Sequence, residues 1–576
     1  MNDKSAGRFT FILHAHLPYV LNHGKWPHGM DWLSEAAAET YIPILNALFD
    51  LLADGYQPKL TIDISPVLAE QLSDPVFKSE FSGYLDQKIH AAEEDIHEFQ
   101  KYGDSEYEAL AVFWRDFYTQ TKIQFEKRYE GDLIRGFREL RESGVLDIMT
   151  CGATHGYFPL LSHDGSIAAQ VKTAVHVHNK HFKSSPRGIW LPECAYRPAY
   201  PWIPPVTSVL GKSEIPRRGV EDFLSENGLE YFIVDSALLK GGVTIGVYME
   251  RFKALQKLWD QFEKKTQYRP EDTDKSPYDL YLLNPSHGGK PVVVFARDRR
   301  TGLQVWSGEW GYPGDGWYLE FHKKRFPGGH RYWRITTSHR DLADKMFYNR
   351  NMAMRRIESH ADHFVKLVKT ILKEKLVSTK QPGIVAAPYD AELFGHWWFE
   401  GVDFLKLTLR KMCEDSEIML TFASEAVDSI KPTRVVTLPE GSWGQGGHHY
   451  IWLNSDTEWT WEHIYEDEAR MKQLLDRYEK NHDPLFQRIL KQAGRELLLL
   501  QASDWQFLIS TFAARDYAEM RFGEHHTIFQ KLADIAEKVC DGGEISSGEE
   551  RFLEDSETRD ALFSDIDPNW FREPKR

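Results

Sequence analysis

GIWLPECAYRP, residues 188–198, begins as a buried strand and ends in chemistry. The run Gly188-Ile189-Trp190-Leu191 is apolar, and Pro192 lacks the N–H that a sheet ladder needs. Glu193 is the first residue beyond that stop. A carboxylate carried into a core without a partner is costly, so this strand should end on an opening. Six further runs have strand length: FTFILHAH (9–16), LTIDIS (60–65), LDIMTCG (146–152), YFIVDS (231–236), VVVFARD (292–298) and GIVAAPYD (383–390). None alternates apolar with polar, so both faces should be covered, as in a parallel sheet. Helical patterns between them, such as 36–53 and 351–374, point to an α/β fold.

The polar residues are the decisive feature. Each run ends, on its C-terminal side, in a titratable or polar group: His14 and His16, Asp63, Cys151 with nearby His155, Glu193, Asp235, Arg297 with Asp298, and Asp390. C-terminal strand ends converge on one rim of a parallel barrel, and barrel enzymes work there. The expectation is a (β/α)7 barrel, an incomplete TIM-like fold, with its site on that rim.

A chain of 576 residues exceeds what one core serves, so several domains are expected. Residues 1–193 read as the first part of the barrel, with a charged helical excursion at about 71–142. Residues 194–290 read as an inserted domain B, 291–445 as the second part of the barrel, and 446–540 as a helical domain C. Residues 541–576 read as an acidic, mobile tail.

Composition narrows the partners. The formal net charge is −16 and no long basic stretch appears, which disfavours nucleic acid and anionic membrane. The longest purely aliphatic run, 497–500, is too short to span a bilayer, and the first residues lack a signal-like apolar segment. Four scattered cysteines without metal-ligand spacing read as reduced thiols, hence a cytoplasmic protein. Aromatic residues make up 13 %, with 18 Trp, several beside Gly, Pro or charged residues. Flat rings with polar neighbours suit sugar rings, whose C–H faces are apolar and whose rims are polar.

Three constellations carry chemistry. In HAHLP (14–18), His14 and His16 share one side of a strand end, where they could hydrogen-bond a substrate. They could equally bind a divalent metal with Asp63 as a third ligand, which leaves a metal-dependent hydrolase or deacetylase open. In PYDAELFGHWWFEG (388–401), an apolar run again meets Pro and then an acid, Asp390. Two rim acids, Glu193 and Asp390, near Trp190, Trp397 and Trp398, are what glycoside chemistry requires, with Glu392 a competitor for the acid role. A non-catalytic sugar binder would need the aromatics but not the acids. The third is the irregular stretch 297–324, where Gly308, Gly311, Gly314 and Gly316 accompany Pro313 without phosphate-loop spacing.

In ordered pieces, the chain resembles glycoside hydrolase family 57, and within it the 1,4-α-glucan branching enzymes. The pieces are HAHLP (14–18), THGYFP (154–159), WLPECAY (190–196), PYDAELFGHWW (388–398) and LLLLQASDWQF (497–507). VWSGEWGYPGDG (305–316) and PEGSWGQGGHHYIWLN (439–454) match the branching subgroup. The resemblance implies a retaining mechanism without metal or other cofactor, with Glu193 as nucleophile and Asp390 as acid/base. It implies substrate contacts for His14, His16, His155, Arg297, Trp306, Gly314, Trp397, Trp443, Asp504 and Trp505. It further implies a water-excluding loop in LLKGGVTIGVY (238–248) that carries Tyr248. The implied partner is an α-1,4-glucan such as amylose, glycogen or maltooligosaccharides, acted on by a monomer or small homo-oligomer. 4-α-Glucanotransfer and α-amylase hydrolysis share the intermediate and differ only in the acceptor. The stretch 256–280 is longer than the family leads one to expect.

Overall fold

The computed structural model describes residues 5–242, 244, 252–263, 270–308, 310–337 and 340–574. Seven parallel strands form a closed barrel: β1 (Gly7–Ala15), β2 (Leu60–Ile64), β3 (Leu146–Cys151), β4 (Gly188–Trp190), β5 (Tyr231–Asp235), β6 (Val292–Arg297) and β7 (Gly383–Asp390). Their order round the barrel is β7-β1-β2-β3-β4-β5-β6. The barrel closes through one register pair between β7 and β6, Ala386 opposite Arg297, so the expected gap is bridged. All seven apolar runs are barrel strands. Every residue of β1 is buried, because side chains on one face fill the barrel and those on the other meet helices. Helix Arg350–Thr379 supplies Phe364, whose ring stacks on Phe11 at 5.6 Å and meets Phe9 edge-on at 5.8 Å.

The excursions are cut differently from the expectation. Residues 194–290 do not form one insertion, since β5 runs through the middle of that range. Before β5 lie a hairpin, Tyr200–Trp202 with Ile215–Arg217, and helix Val220–Glu226; after it comes helix Lys253–Phe262. Tyr248 lies outside the described residues. The excursion after β2 is helical as expected: Pro75–Tyr102 and Ser105–Ile123 pack side by side. Trp114 and Asp95 of this pair grip residues 325–332, through Trp114 Nε1–H to the Arg331 carbonyl (2.8 Å) and an Asp95–Arg325 ion pair (2.7 Å).

Helical residues Met30–Ala53 are long and apolar enough to cross a bilayer by composition, yet they are two-thirds buried against the barrel. The helix carries Glu39 and Tyr41 inward. Glu39 bonds Arg331 (2.8 Å) and His396 (3.2 Å); burial pushes its carboxyl up, but the Arg331 charge and the His396 hydrogen bond outweigh it and hold the carboxyl below the usual range.

The C-terminal segment corrects the expectation of a mobile tail. It forms helix Ser547–Arg559, capped by a reciprocal Ser546–Glu549 box, and a short turn Pro568–Phe571. Leu553, Leu562, Phe563, Ile566 and Phe571 are buried. His23 Nε2 bonds Asp560 at 2.7 Å, and the Phe563 N–H donates to Glu70 at 3.2 Å. The segment straps helices at 458–540 to the barrel. Its apolar residues are too sparse and irregular to show a face in sequence, because their partners lie tens to hundreds of residues away, on the preceding helices and on the barrel.

Gly165 marks how close this strap lies. A Cβ there would sit 2.0 Å from the Phe571 carbonyl oxygen. Gly165→Ala should therefore displace the strap and cost about 1–3 kcal/mol. The expected result is a lower Tm together with faster limited proteolysis beyond Cys540; unchanged Tm and cleavage would reject the docking.

Candidate active site

Strand register builds the rim. Asp390 of β7, His14 of β1 and Asp63 of β2 sit in one row, and Cys151 of β3 lies opposite Trp190 of β4. Glu193 follows β4 in a tight turn with φ of 58°, and Cys194 follows with φ of 47°. Left-handed backbone at two non-glycine residues costs about 1–3 kcal/mol each and persists only where neighbours enforce it. The Cys194 N–H donates to the Leu191 carbonyl (2.7 Å), and Tyr196 N–H donates to the Gly441 carbonyl (2.8 Å). Trp443 clamps the acid twice: its backbone N–H donates to the Glu193 carbonyl (3.1 Å) and its indole N–H to Glu193 Oε2 (2.7 Å).

The histidines form a relay. His14 Nδ1 bonds Asp63, while His14 Nε2 meets His155 Nε2 at 3.0 Å. His16 bonds Ser65 Oγ (2.9 Å) through Nδ1 and Asp504 Oδ2 (3.0 Å) through Nε2. His155 Nδ1 bonds Ser503 Oγ at 2.8 Å. Asp63 thus reaches His14 and not His16, which is taken by Ser65 and Asp504. All six ring nitrogens have partners, so a metal here would have to displace hydrogen bonds. Glu392 is similarly occupied, since its Oε1 accepts from the Tyr41 hydroxyl (2.5 Å) and the His16 N–H (3.1 Å). It ties the ends of β1 and β7 together.

Aromatic rings wall the space. Trp190 stacks on His14 at 4.7 Å with planes 3° apart, and Trp443 meets Trp190 (5.3 Å) and Trp306 (5.9 Å) edge-on. Trp397 is exposed at 38 % and stacks on Phe321 at 4.4 Å. The cleft, counting the open solvent at its mouth, measures about 860 Å³. His14, His16, His155, Glu193, Trp306, Asp390, Trp397, Trp443 and Asp504 line it, with Glu392, Leu17, Leu393, Phe252 and Phe507.

Three residues expected to contact substrate are not among the described residues that line this cleft. Arg297 pairs with Asp235 (2.5 Å) and sits 5.6 Å from the Trp443 ring, behind the cleft wall that Trp443 forms. Gly314 belongs to a turn, Tyr312–Gly314, off the cleft lining. Trp505 is fully buried, donates to the Leu499 carbonyl (2.8 Å) and packs under Arg521, so it is a core residue. The reason is helical direction: Asp504 and Phe507, three apart, share the cleft face, and Trp505 points away. That spacing was available in the sequence and identifies Phe507; Phe252 carried no signal.

The family model of glycosyl hydrolase family 57 matches residues 10–439. The chain belongs to glycosyl hydrolase family 57. A second model, described as the C-terminal part of 1,4-alpha-glucan branching enzyme, matches residues 463–571. The family 57 chain is 42 % identical to a 1,4-alpha-glucan branching enzyme of Thermococcus kodakarensis, over 97 % of this chain and 78 % of that protein. The crystal structure of a family 57-type branching enzyme from Pyrococcus horikoshii superposes with a TM-score of 0.86 at 40 % identity, covering 99 % of this chain and 98 % of that one. An α-amylase, AmyC of Thermotoga maritima, superposes with a TM-score of 0.79 at 30 % identity, covering 99 % and 100 %.

Burial governs the titration of this family 57 site. It pushes the Glu193 carboxyl up to about 8, and the charges of Asp390 and Asp504 add to the rise, against the Trp443 indole donor. Glu392 is also pushed up to about 8 by burial. Burial lowers His14 to about 3 and His155 well below 6.5, so both imidazoles are neutral at neutral pH. For Glu193 as nucleophile, this direction is the opposite of what attack requires, and the indole N–H is the group that favours the charged form.

That conflict yields a test of roles. A nucleophile must be ionised, so kcat/KM should rise with pH through the Glu193 pKa. Trp443→Phe removes a donor to the carboxylate and should move this limb upward by about 1–2 pH units. If kcat/KM instead falls through that range, Glu193 acts as the acid and the assignment is reversed.

Proposed function

We propose that the chain is a 1,4-α-glucan branching enzyme. It cleaves an α-1,4 bond and transfers the freed chain to a 6-hydroxyl. The carrying observation is shared lining: Asp504 and Phe507, from the region that matches the branching-enzyme C-terminal model, face the same cleft as Glu193 and Asp390. Catalytic acids alone would fit any member of the family; the C-terminal wall favours branching over the amylase reading.

In this reading Glu193 attacks the anomeric carbon as Asp390 protonates the departing O4, and a glycosyl-enzyme forms. Asp390 then takes the proton of an acceptor 6-hydroxyl, which attacks the anomeric carbon and releases Glu193. Trp443 holds Glu193 Oε2 and leaves Oε1 for the reaction. The neutral His14–His155 pair and the His16–Asp504 pair suit hydrogen bonding to sugar hydroxyls at the cleavage point. Trp397, half open to solvent, suits stacking on a ring further out. Amylose, glycogen-like glucan and maltooligosaccharides fit this site. The four unpaired cysteines agree with a reducing, cytoplasmic setting.

Water competes with the acceptor for the intermediate, so the cleft must be closed during transfer. The family resemblance points to Tyr248 for that task, and Phe252, four residues on, reaches the cleft beside Phe507 at 5.9 Å.

Proton NMR of amylose after incubation should gain α-1,6 signals. Glu193→Gln should lower the rate of their appearance on the order of 10³-fold or more. Reducing ends without α-1,6 signals would replace branching by hydrolysis. Tyr248→Ala should keep bond cleavage but shift products from branches toward reducing ends; an unchanged ratio would remove Tyr248 from the barrier to water.

A further inference from the structure

Far from the cleft, helices Glu458–Arg477 and Arg515–Cys540 pack side by side. His463 on the first and His526 on the second bring their ring centroids to 4.1 Å, tilted by 32°. Two protonated imidazoles at that distance would repel. Glu466, three residues after His463, shares its helix face, with Oε2 3.2 Å from His463 Nδ1. One donor atom each from His463, Glu466 and His526 lies within 4.8 Å of the others.

A supporting layer stands behind this trio. His526 Nδ1 bonds Asp467 Oδ2 at 2.9 Å, and Asp467 is fully buried. Its other oxygen accepts from the Gln530 amide at 2.5 Å. A carboxylate on Nδ1 fixes the tautomer, so that Nε2 keeps its lone pair and gains basicity, as carboxylates do behind metal-bound histidines. Among the described residues, Nε2 of His463 and of His526 has no hydrogen-bond partner. The other histidine clusters differ. In the cleft every ring nitrogen is engaged, and near Asp560 the His525 Nε2 faces the Arg521 guanidinium at 3.0 Å, which disfavours a cation. Here the nearby Arg470 is spent on Asp534 (2.5 Å) and Glu537 (3.4 Å).

We propose that His463, Glu466 and His526 form a binding site for a zinc-type divalent transition-metal ion that staples the two helices. Two imidazoles and one carboxylate suit zinc, cobalt or nickel better than magnesium or calcium, which prefer all-oxygen shells. Donors around a tetrahedral zinc stand about 3.3 Å apart, so the trio must close by at most about 1.5 Å. The His463 and Glu466 side chains are 38 % and 48 % exposed and can make that movement, while His526 is held by Asp467. Glu466 and His526, though not His463, line an open recess with Val209, Ala469, Arg470, Gln473 and Gln530; Arg470 is turned to Asp534 and Glu537, and an ion and a completing water would enter there. The ion would brace the region that supplies Asp504, without touching the reacting groups.

The test uses the full chain stripped with a chelator. Calorimetric titration with zinc chloride should show one tight equivalent, cobalt(II) should give a visible ligand-field band, and zinc should raise Tm. His463→Ala and His526→Ala should each weaken zinc binding by about 10-fold or more and abolish the band. His526→Gln keeps a donor for Asp467 and should lose zinc equally, which separates ligation from folding. His16→Ala, in the cleft, should bind zinc as the parent does. The site is overturned if the parent binds no zinc up to about 1 mM. It is equally overturned if the His463 and His526 variants bind as tightly as the parent, or if only His16→Ala loses the ion.

Discussion

A buried carboxylate is the constraint on which this molecule turns. Glu193 lies 8 % exposed at the end of an apolar strand, in a medium that disfavours its charge. Trp443, brought in from 250 residues away, supplies the indole donor that offsets this, and its backbone N–H holds the left-handed turn that aims the side chain. Arg297, paired with Asp235, backs the Trp443 ring. One indole therefore sets the orientation of the acid, opposes its protonation and forms the cleft wall between Trp190 and Trp306.

The same dependence on distant segments recurs around the cleft. The barrel strands deliver His14, Asp63 and Asp390 in register, but His16 and His155 meet Asp504 and Ser503 from the helical C-terminal region. That region is held in turn by buried polar contacts. Glu468 takes the Ser162 N–H at 2.9 Å and the Gln501 amide at 3.0 Å. Arg521 reaches the Tyr19 carbonyl at 2.7 Å, and the strap at 547–571 closes over both parts. A site assembled this way loses geometry whenever either half shifts. This explains why so much buried polar bonding is spent far from the reacting groups.

Much of this was legible in order along the chain. All seven strands were readable because a strand covered on both faces must be apolar throughout, and the rim was readable because polarity returns where such a strand ends. Glu193 and Asp390 stood out by the same logic, each just after a proline-interrupted apolar run. Trp505 and Gly314 fall off the described cleft lining, and sequence could not show it, because a motif names neighbours without giving the direction in which each side chain points. The strap at 547–571 was read as tail because its few apolar residues sit among acids.

The sequence by itself determined the barrel, its rim and its two acids, since hydrophobic periodicity and chain breaks are local properties of a strand. Only the tertiary structure decided what those acids experience. The φ of 58° at Glu193, the indole bond from Trp443, the pairing of all six imidazole nitrogens and the Glu392–Tyr41 bond are contacts between segments tens to hundreds of residues apart. Their protonation follows from burial, and burial is a property of the packed whole.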